Sequence, residues 1–486
     1  MIRNDRSRRL TTAGLTAAAV LALAACGADT SSYPNSTFEH TTEFNTAIDG
    51  LWDQLLLWGT IVFVLVEVLL VYTIWRFRRR PGVVAKHIHG NTTLELMWTL
   101  IPVVILAIIA VPTVRTIFRT QAKAAPNALQ VEVVGHQWWW EFRYPQYTSR
   151  NATTGRTDTL VTANELFLPL GRTVNFTLRT ADVLHSFWIP RLGGKRDLIS
   201  NHTNFLWFTP DDSLGANVFR GSCNEYCGAS HANMLFRAFT VPPEEFERWA
   251  AHQVSPAVFN AMATPGAAPG ATPAGVTPAG APPAAGTQGA PLAPATTPTT
   301  SPTRGTPPPA TGAQANQAGS AAAQPATGPG SAQSAQAAAQ GAQGGPTLAY
   351  AFSGEIPDYA IPHRPIPAGV DFPANLVGDA ARGQQIYSRS SCIGCHMITG
   401  NPMSPGRIGP NLTHVGSRLT LAAGMFPNDA RHLALWIKNA RALKPGSLMP
   451  TLGKGQVDPI TKQTVNMGGL DDQQIADIVA YLQALK

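Results

Sequence analysis

Two long apolar runs constrain this chain more than any other feature. Residues 51–75 and 96–118 each approach the ~20 residues that a helix needs to cross the hydrocarbon core of a bilayer. Between them lie Arg76, Arg78, Arg79, Arg80 and Lys86. Loops rich in Lys and Arg stay on the cytoplasmic side. Residues 50–120 therefore read as a two-helix transmembrane hairpin, with everything after residue 120 outside the cytoplasm. Glu67 falls mid-span. A carboxylate in hydrocarbon is costly unless it faces protein or water. Glu67 thus either packs against another membrane subunit or is satisfied, protonated, within the hairpin. Glu95 opens the second span, where a helix N-terminus favours a negative charge.

The N-terminus agrees with export. Arg3, Arg6, Arg8 and Arg9 precede an apolar run over about 15–25, so residues 1–25 read as a signal peptide. The run ends in Leu23-Ala24-Ala25-Cys26, which resembles the bacterial lipoprotein box, where the cysteine is acylated. An ordinary secretory signal that happens to contain a cysteine is the alternative. Arg8-Arg9 lacks the rest of a twin-arginine motif.

The 486 residues allow two or three domains. The formal net charge is +7, but only 13% of residues are charged and no basic stripe runs along a domain, which argues against nucleic-acid binding. Residues 261–346 are mostly Ala, Pro, Gly, Thr and Gln, with Arg304 as the only charge. Nothing there can drive burial, so the segment reads as a disordered linker. A flexible chain of that length spans roughly 50 Å root-mean-square, giving a tethered domain an effective concentration on the order of millimolar. Before the linker, residues 128–243 read as all-β. Alternating runs such as Leu129-Gln130-Val131-Glu132-Val133 and Val174-Asn175-Phe176-Thr177-Leu178 are separated by turn residues. After it, residues 371–486 form a last domain. Its closing helix has Asp471 as N-cap, Gln474 three positions on, and Ile475, Ile478, Val479 and Leu482 as the apolar face.

Two clusters carry chemistry. Cys223-Asn224-Glu225-Tyr226-Cys227-Gly228-Ala229-Ser230-His231-Ala232-Asn233-Met234 offers two thiolates, an imidazole and a thioether, and His185 can add a second imidazole from another loop. Such soft donors suit copper. A structural zinc site would leave Met234 without a role, and a Cys223–Cys227 disulfide would leave the His and Met spacing unexplained. Chance cysteines on an exposed loop are a third alternative. The second cluster is Cys392-Ile393-Gly394-Cys395-His396, a spacing that can add two thiols to haem and ligate its iron, with a zinc knuckle or chance spacing as the alternatives. The sixth ligand must lie downstream, among Met397, Met403, Met425, Met449 and Met467. His414 and His432 read as surface or core histidines.

The C-x-E-x-C-G-x-x-H-x-x-M pattern, with Val183-Leu184-His185-Ser186 upstream, resembles subunit II of the haem-copper cytochrome c oxidases over about residues 50–243. The resemblance implies a cupredoxin-like sandwich with a dinuclear copper centre. Cys223 and Cys227 would bridge the coppers, with His185, His231, Met234 and the Glu225 carbonyl as the remaining ligands. The Glu225 side chain would help hold magnesium at a subunit interface. Quinol-oxidase relatives lack these ligands. Gly135-His136-Gln137-Trp138-Trp139-Trp140 matches the family's aromatic segment, although Trp139 is usually tyrosine there. The match implies that Trp138 passes electrons into the copper pair; a plain packing aromatic is the alternative. Leu94-Glu95-Leu96-Met97-Trp98 also matches, and implies that Glu95 marks the mouth of a proton path.

Lys444-Pro445-Gly446-Ser447-Leu448-Met449 resembles the distal-ligand loop of class I cytochromes c, which implies Met449 as the sixth haem ligand, with Met467 as competitor. Gly409-Pro410-Asn411-Leu412 resembles the loop whose proline carbonyl orients the proximal histidine, here His396. The expected architecture is multidomain: transmembrane hairpin, cupredoxin-like β-sandwich, disordered Ala/Pro-rich linker and all-α class I cytochrome c domain. The expected function is electron transfer from a covalent haem c to copper, then to an oxygen-reducing site in subunit I, coupled to proton translocation. The place is a bacterial cell membrane. The upstream donor is a quinol–cytochrome c reductase or a soluble cytochrome c. A self-contained extracytoplasmic reductase or copper sensor, and a copper-free structural subunit, are the alternatives.

Overall fold

A computed structural model describes residues 33–39, 41–79, 81, 82, 89–122, 124–150, 155, 157–257 and 350–486. The signal peptide with Cys26, the loop residues Arg80 and Lys86, and the 261–346 linker lie outside the described residues.

Helix α1 (Glu43–Arg76) begins earlier than the apolar run because its first turn is polar and capped: the Thr42 side chain accepts from Asn45 N, and Glu43 sits at the positive end of the dipole. This first turn belongs to the sandwich. Asn45 Nδ2 donates to Arg191 O at 2.9 Å, Thr42 Oγ1 to Leu192 O at 2.7 Å, and Thr209 N to Glu43 Oε2 at 3.0 Å. Helix α2 (Thr92–Gln121) is capped by the Asn91 side chain and carries Pro102 and Pro112 within it. No residue in the apolar stretch of either helix is buried in the isolated chain. An apolar helix exposed all round needs lipid or another protein around it. Glu67 lies on this exposed surface.

The β domain is two five-stranded sheets, ordered β3-β2-β1-β5-β8 and β4-β10-β9-β6-β7. The strands are β1 (Leu129–His136), β2 (Trp139–Arg150), β3 (Thr157–Ala163), β4 (Glu165–Pro169), β5 (Val174–Thr180), β6 (His185–Trp188), β7 (Arg196–Leu198), β8 (Asn204–Phe208), β9 (Asn217–Cys223) and β10 (Leu235–Val241). Alternation in β1 and β5 sends Leu129, Val131, Val133, Phe176 and Leu178 into one core. Under the 223–234 loop that core is aromatic: Phe187 and Phe236 stack at 5.0 Å, with Trp140 edge-on to both. Gly221 is required there, since a Cβ would run into the Phe236 ring. Two additions went unread in the sequence. Helix α3 (Pro243–Val254) stacks Trp249 on Phe167 at 4.4 Å. Residues 350–360 strap back onto the sandwich: Tyr350 OH donates to Glu245 Oε1 at 2.8 Å, Tyr359 OH to Val218 O at 2.7 Å, and Ala360 is buried in the sandwich core.

The C-terminal domain is helical, with α4 (Ala380–Arg389), the one-turn α5 (Cys392–Cys395), α6 (Ala430–Leu443) and α7 (Asp472–Ala484). It departs from all-α only by two two-residue strands, β11 (Thr420–Leu421) and β12 (Phe426–Pro427). The Asp471/Gln474 capping box forms, and Ile475, Ile478, Val479 and Leu482 are buried. Helices α4 and α7 approach so closely that a Cβ at Gly383 would collide with the Asp477 carbonyl. The domain rests on the sandwich through buried polar contacts: Leu419 N donates to Glu165 Oε1 at 2.6 Å and Leu235 N to Ala423 O at 3.1 Å.

Candidate functional site

The first cluster sits at one end of the sandwich, where β6 starts and β9 ends. Pairing of Phe187 with Cys223 brings the two ligand-bearing segments side by side. Cys223 N donates to Met234 O at 3.0 Å and Asn224 N to Ser186 O at 3.0 Å, which closes the 223–234 loop on the β6 edge. Cys223 Sγ and Cys227 Sγ lie 3.8 Å apart. A disulfide needs about 2.05 Å, so these are free thiols around a shared space. His185 Nδ1 is 3.8 Å from Cys223 Sγ, His231 Nδ1 3.6 Å from Cys227 Sγ, and Met234 Sδ 3.9 Å from Cys227 Sγ. The Glu225 carbonyl is 3.3 Å from Cys223 Sγ. Donors bonded at about 2.0–2.3 Å to a common first-row metal ion stand about 3.5 Å from one another, so the set fits metal. Its two sulfurs, thioether and imidazoles are the soft donors that copper favours.

Electrostatics prepare the same atoms. Burial alone would lower the His185 imidazole, but the Asp182 carboxylate and the Cys223 sulfur outweigh it and hold it above its ordinary value. His185 Nε2 donates to Asp182 Oδ1 at 2.8 Å, which turns Nδ1 toward the sulfurs. Hydrogen bonding from Cys227, then burial opposed by His185 and backbone groups, pulls the Cys223 thiol down to about 3. Cys227, facing that thiolate, is pushed up. The Glu225 side chain is exposed, and Glu95 lies in the exposed first turn of α2. Neither joins the cluster.

The second cluster opens into a cavity of about 230 Å³, lined among others by Cys392, Cys395, His396, Pro410, Ile437 and Met449. His396 Nδ1 donates to the Pro410 carbonyl at 2.8 Å, and burial keeps the imidazole below its usual pKa, therefore neutral. That fixes the tautomer and leaves Nε2 as the free donor atom. Met449 is the one methionine among the residues lining this cavity. Met467 is 98% exposed, whereas Met425 is packed in the domain core. An apolar cavity with two thiols, a neutral imidazole and a thioether on its walls fits a covalent haem. His414 is buried, and His432 donates through Nδ1 to Asp429 Oδ2 at 2.7 Å.

Trp138 touches both clusters. Its Nε1 donates to Cys227 O at 2.9 Å, and its side chain lines the cavity together with Trp139. Gln137 Nε2 also donates to Cys227 O, at 2.8 Å. Asp182 and Lys444 escaped the sequence reading. Asp182 stands three residues before His185, a signal open to use; an isolated lysine such as Lys444 gives no sign that it is buried.

Known proteins share this arrangement segment by segment. Residues 39–116 match the family described as cytochrome C oxidase subunit II, transmembrane domain, and residues 129–238 match its periplasmic domain. A probable cytochrome c oxidase subunit 2 from Rickettsia bellii is 34% identical over 209 residues, covering 41% of this chain and 76% of the relative. The chain belongs to the cytochrome c oxidase subunit II family. Residues 380–486 match cytochrome c, so this subunit II carries a fused cytochrome c domain. The subunit 2 of Alkalihalophilus pseudofirmus is similar along most of the chain, with 25% identity over 90% of this chain and 87% of the relative. The subunit 2 of Bacillus sp. PS3 is 38% identical, over 36% of this chain and 49% of its own length. Among solved structures, the periplasmic domain of subunit II from Bradyrhizobium japonicum is similar at 28% identity and TM-score 0.22, over 27% of this chain and 96% of that one. Subunit II membership implies a copper centre, and the cytochrome c domain implies haem. The chain is thus a two-pass membrane subunit of an oxidoreductase complex.

Proposed function

We propose that this subunit II carries electrons from a haem held by Cys392, Cys395, His396 and Met449 to two coppers held by His185, Cys223, Glu225 O, Cys227, His231 and Met234. From there they pass to the oxygen-reducing site of subunit I, coupled to proton translocation. Both groups, when bound, exchange single electrons. The observation that carries the reading is Trp138, whose indole reaches the Cys227 carbonyl on one side and the haem cavity on the other. The chain's own residues keep both sites stiff: Asp182 orients His185, Pro410 orients His396, and the Trp140–Phe187–Phe236 cluster backs the metal loop. Little movement on gaining an electron means little reorganisation to overcome.

Several supports favour work within a membrane complex. The exposed apolar hairpin with Glu67 mid-span calls for neighbours in the bilayer. The exposed Glu225 side chain is free to help hold magnesium against subunit I, and Glu95 to open a proton path there. The basic loop directs both redox domains outside the cytoplasm of a bacterial cell membrane, with Cys26 as a lipid anchor. A quinol–cytochrome c reductase or soluble cytochrome c supplies the haem. The deciding experiment uses the purified membrane complex. Two coppers per haem, a mixed-valence copper signal, and haem re-oxidation that collapses in Cys227→Ser are expected. A freshly isolated complex with fewer than two coppers per haem, or with haem oxidation indifferent to that substitution, would overturn the reading.

A further inference from the structure

Three consecutive residues ahead of Met449 meet the copper-bearing domain. Lys444 is 4% exposed, yet its Nζ donates to Trp138 O at 2.5 Å and to Ala422 O at 3.0 Å. Ser230 Oγ, from the loop between Cys227 and His231, donates to Pro445 O at 2.6 Å. Gly446 has φ +82°, and a Cβ there would stand 2.5 Å from Trp138 Cη2 and 2.6 Å from Cζ3. One short tongue of the haem domain thus grips Trp138 at its backbone and its ring edge, and grips the metal loop through Ser230. A buried lysine normally pairs with a carboxylate. Here the amine spans one carbonyl from each domain, so its burial is satisfied only while the two domains are docked.

Resting on the function proposed above, we infer that residues 444–446 with Ser230 form the coupling that registers the haem cavity against the copper ligands. Lys444, Gly446 and Ser230 are positioning residues for electron transfer within the chain. With both groups bound, the transfer these residues serve would move one electron, from haem to copper, and neither a proton nor a bond. Lys444 sets the height of Trp138 through its carbonyl. Gly446 allows the indole edge to lie against the backbone that leads to Met449. Ser230 ties that backbone to the loop between two copper ligands.

The test compares the intact membrane complex with complexes carrying Lys444→Met, Gly446→Ala or the milder Ser230→Ala. Copper content, haem attachment and the haem absorption spectrum are measured first. Flash photoreduction of the haem then gives the transfer rate, and electron paramagnetic resonance gives the relaxation of the copper signal by the ferric haem. With both centres loaded and the haem spectrum unchanged, transfer slows several-fold, and the copper signal relaxes more slowly. A tongue that merely stabilises the haem domain would alter the haem spectrum and leave copper relaxation alone. Loaded variants whose rate and relaxation both equal those of the parent would overturn the inference while sparing the function. A parent complex lacking copper or haem would remove the function as well.

Discussion

Asp182 shows how a residue outside the ligand set controls it. Its Oδ1 accepts from His185 Nε2, and its Oδ2 accepts from Gln137 N at 2.7 Å, beside Trp138. The carboxylate therefore ties the orientation of one ligand to the segment that carries the bridging tryptophan. Replacing Asp182 with Ala frees the His185 ring to turn. Losses of outer partners of metal-bound histidines cost about tenfold to a hundredfold in metal affinity, and the same loss is expected here in chelator competition. Unchanged copper retention in Asp182→Ala would show that strand pairing alone orients His185. The candidate donors were legible in the sequence because their spacing is local, with five of the six within one twelve-residue run. Asp182 lies close enough to His185 to have been read with it, whereas its bond to Gln137 spans 45 positions and leaves no local trace.

Elements follow the same division. The capping box and apolar stripe of α7 were readable, since both depend on offsets of three and four residues. What α7 packs against was not. Gly383 on α4 lies where the α7 backbone passes, and a Cβ would collide with the Asp477 carbonyl, while Arg382 Nε donates to Asp477 Oδ2 at 2.9 Å alongside. Backbone cannot yield as a side chain does. Gly383→Ala should therefore destabilise the haem domain by about 1–3 kcal/mol, the cost of overpacking a tight contact, read as a lower thermal midpoint of the haem band. An unaltered midpoint would mean that the two helices separate at no cost. Helix α1 is likewise two elements in one: a polar first turn bound to the sandwich, and an apolar remainder that the chain itself leaves uncovered.

The tether reads differently once the whole molecule is in view. A flexible linker of the 261–346 composition would set the haem domain adrift on a long chain. Instead the strap of residues 350–360 returns to the sandwich, so the effective connection runs only from Ala360 to α4. A second contact tunes docking by pH. His414 Nε2 donates to Ser255 O at 3.0 Å, and its ring faces His252 at 4.5 Å, with the Lys486 backbone and Arg418 beside it. Burial first, then the neighbouring His252, lowers His414 to about 4. A histidine with a depressed pKa contributes stability that is present above its ordinary value near 6.5 and lost as pH falls toward 4. Up to about 3 kcal/mol is at stake. Haem-to-copper transfer should therefore slow below about pH 5, and His414→Gln should flatten that acid limb. An identical limb in the variant would assign the pH dependence elsewhere.

By itself, the sequence determined the chain's parts list: a membrane hairpin, a sandwich with copper donors, and a domain with haem thiols. Each of these rests on composition or on spacing over a dozen residues, which survive without knowledge of the fold. Tertiary structure alone decided that Trp138 reaches from the Cys227 carbonyl to the cavity lined by Met449, that Lys444 is buried, and that the chain straps back after the linker. These depend on burial and on contacts between residues hundreds of positions apart, and such contacts exist only when the sandwich and the haem domain share a surface.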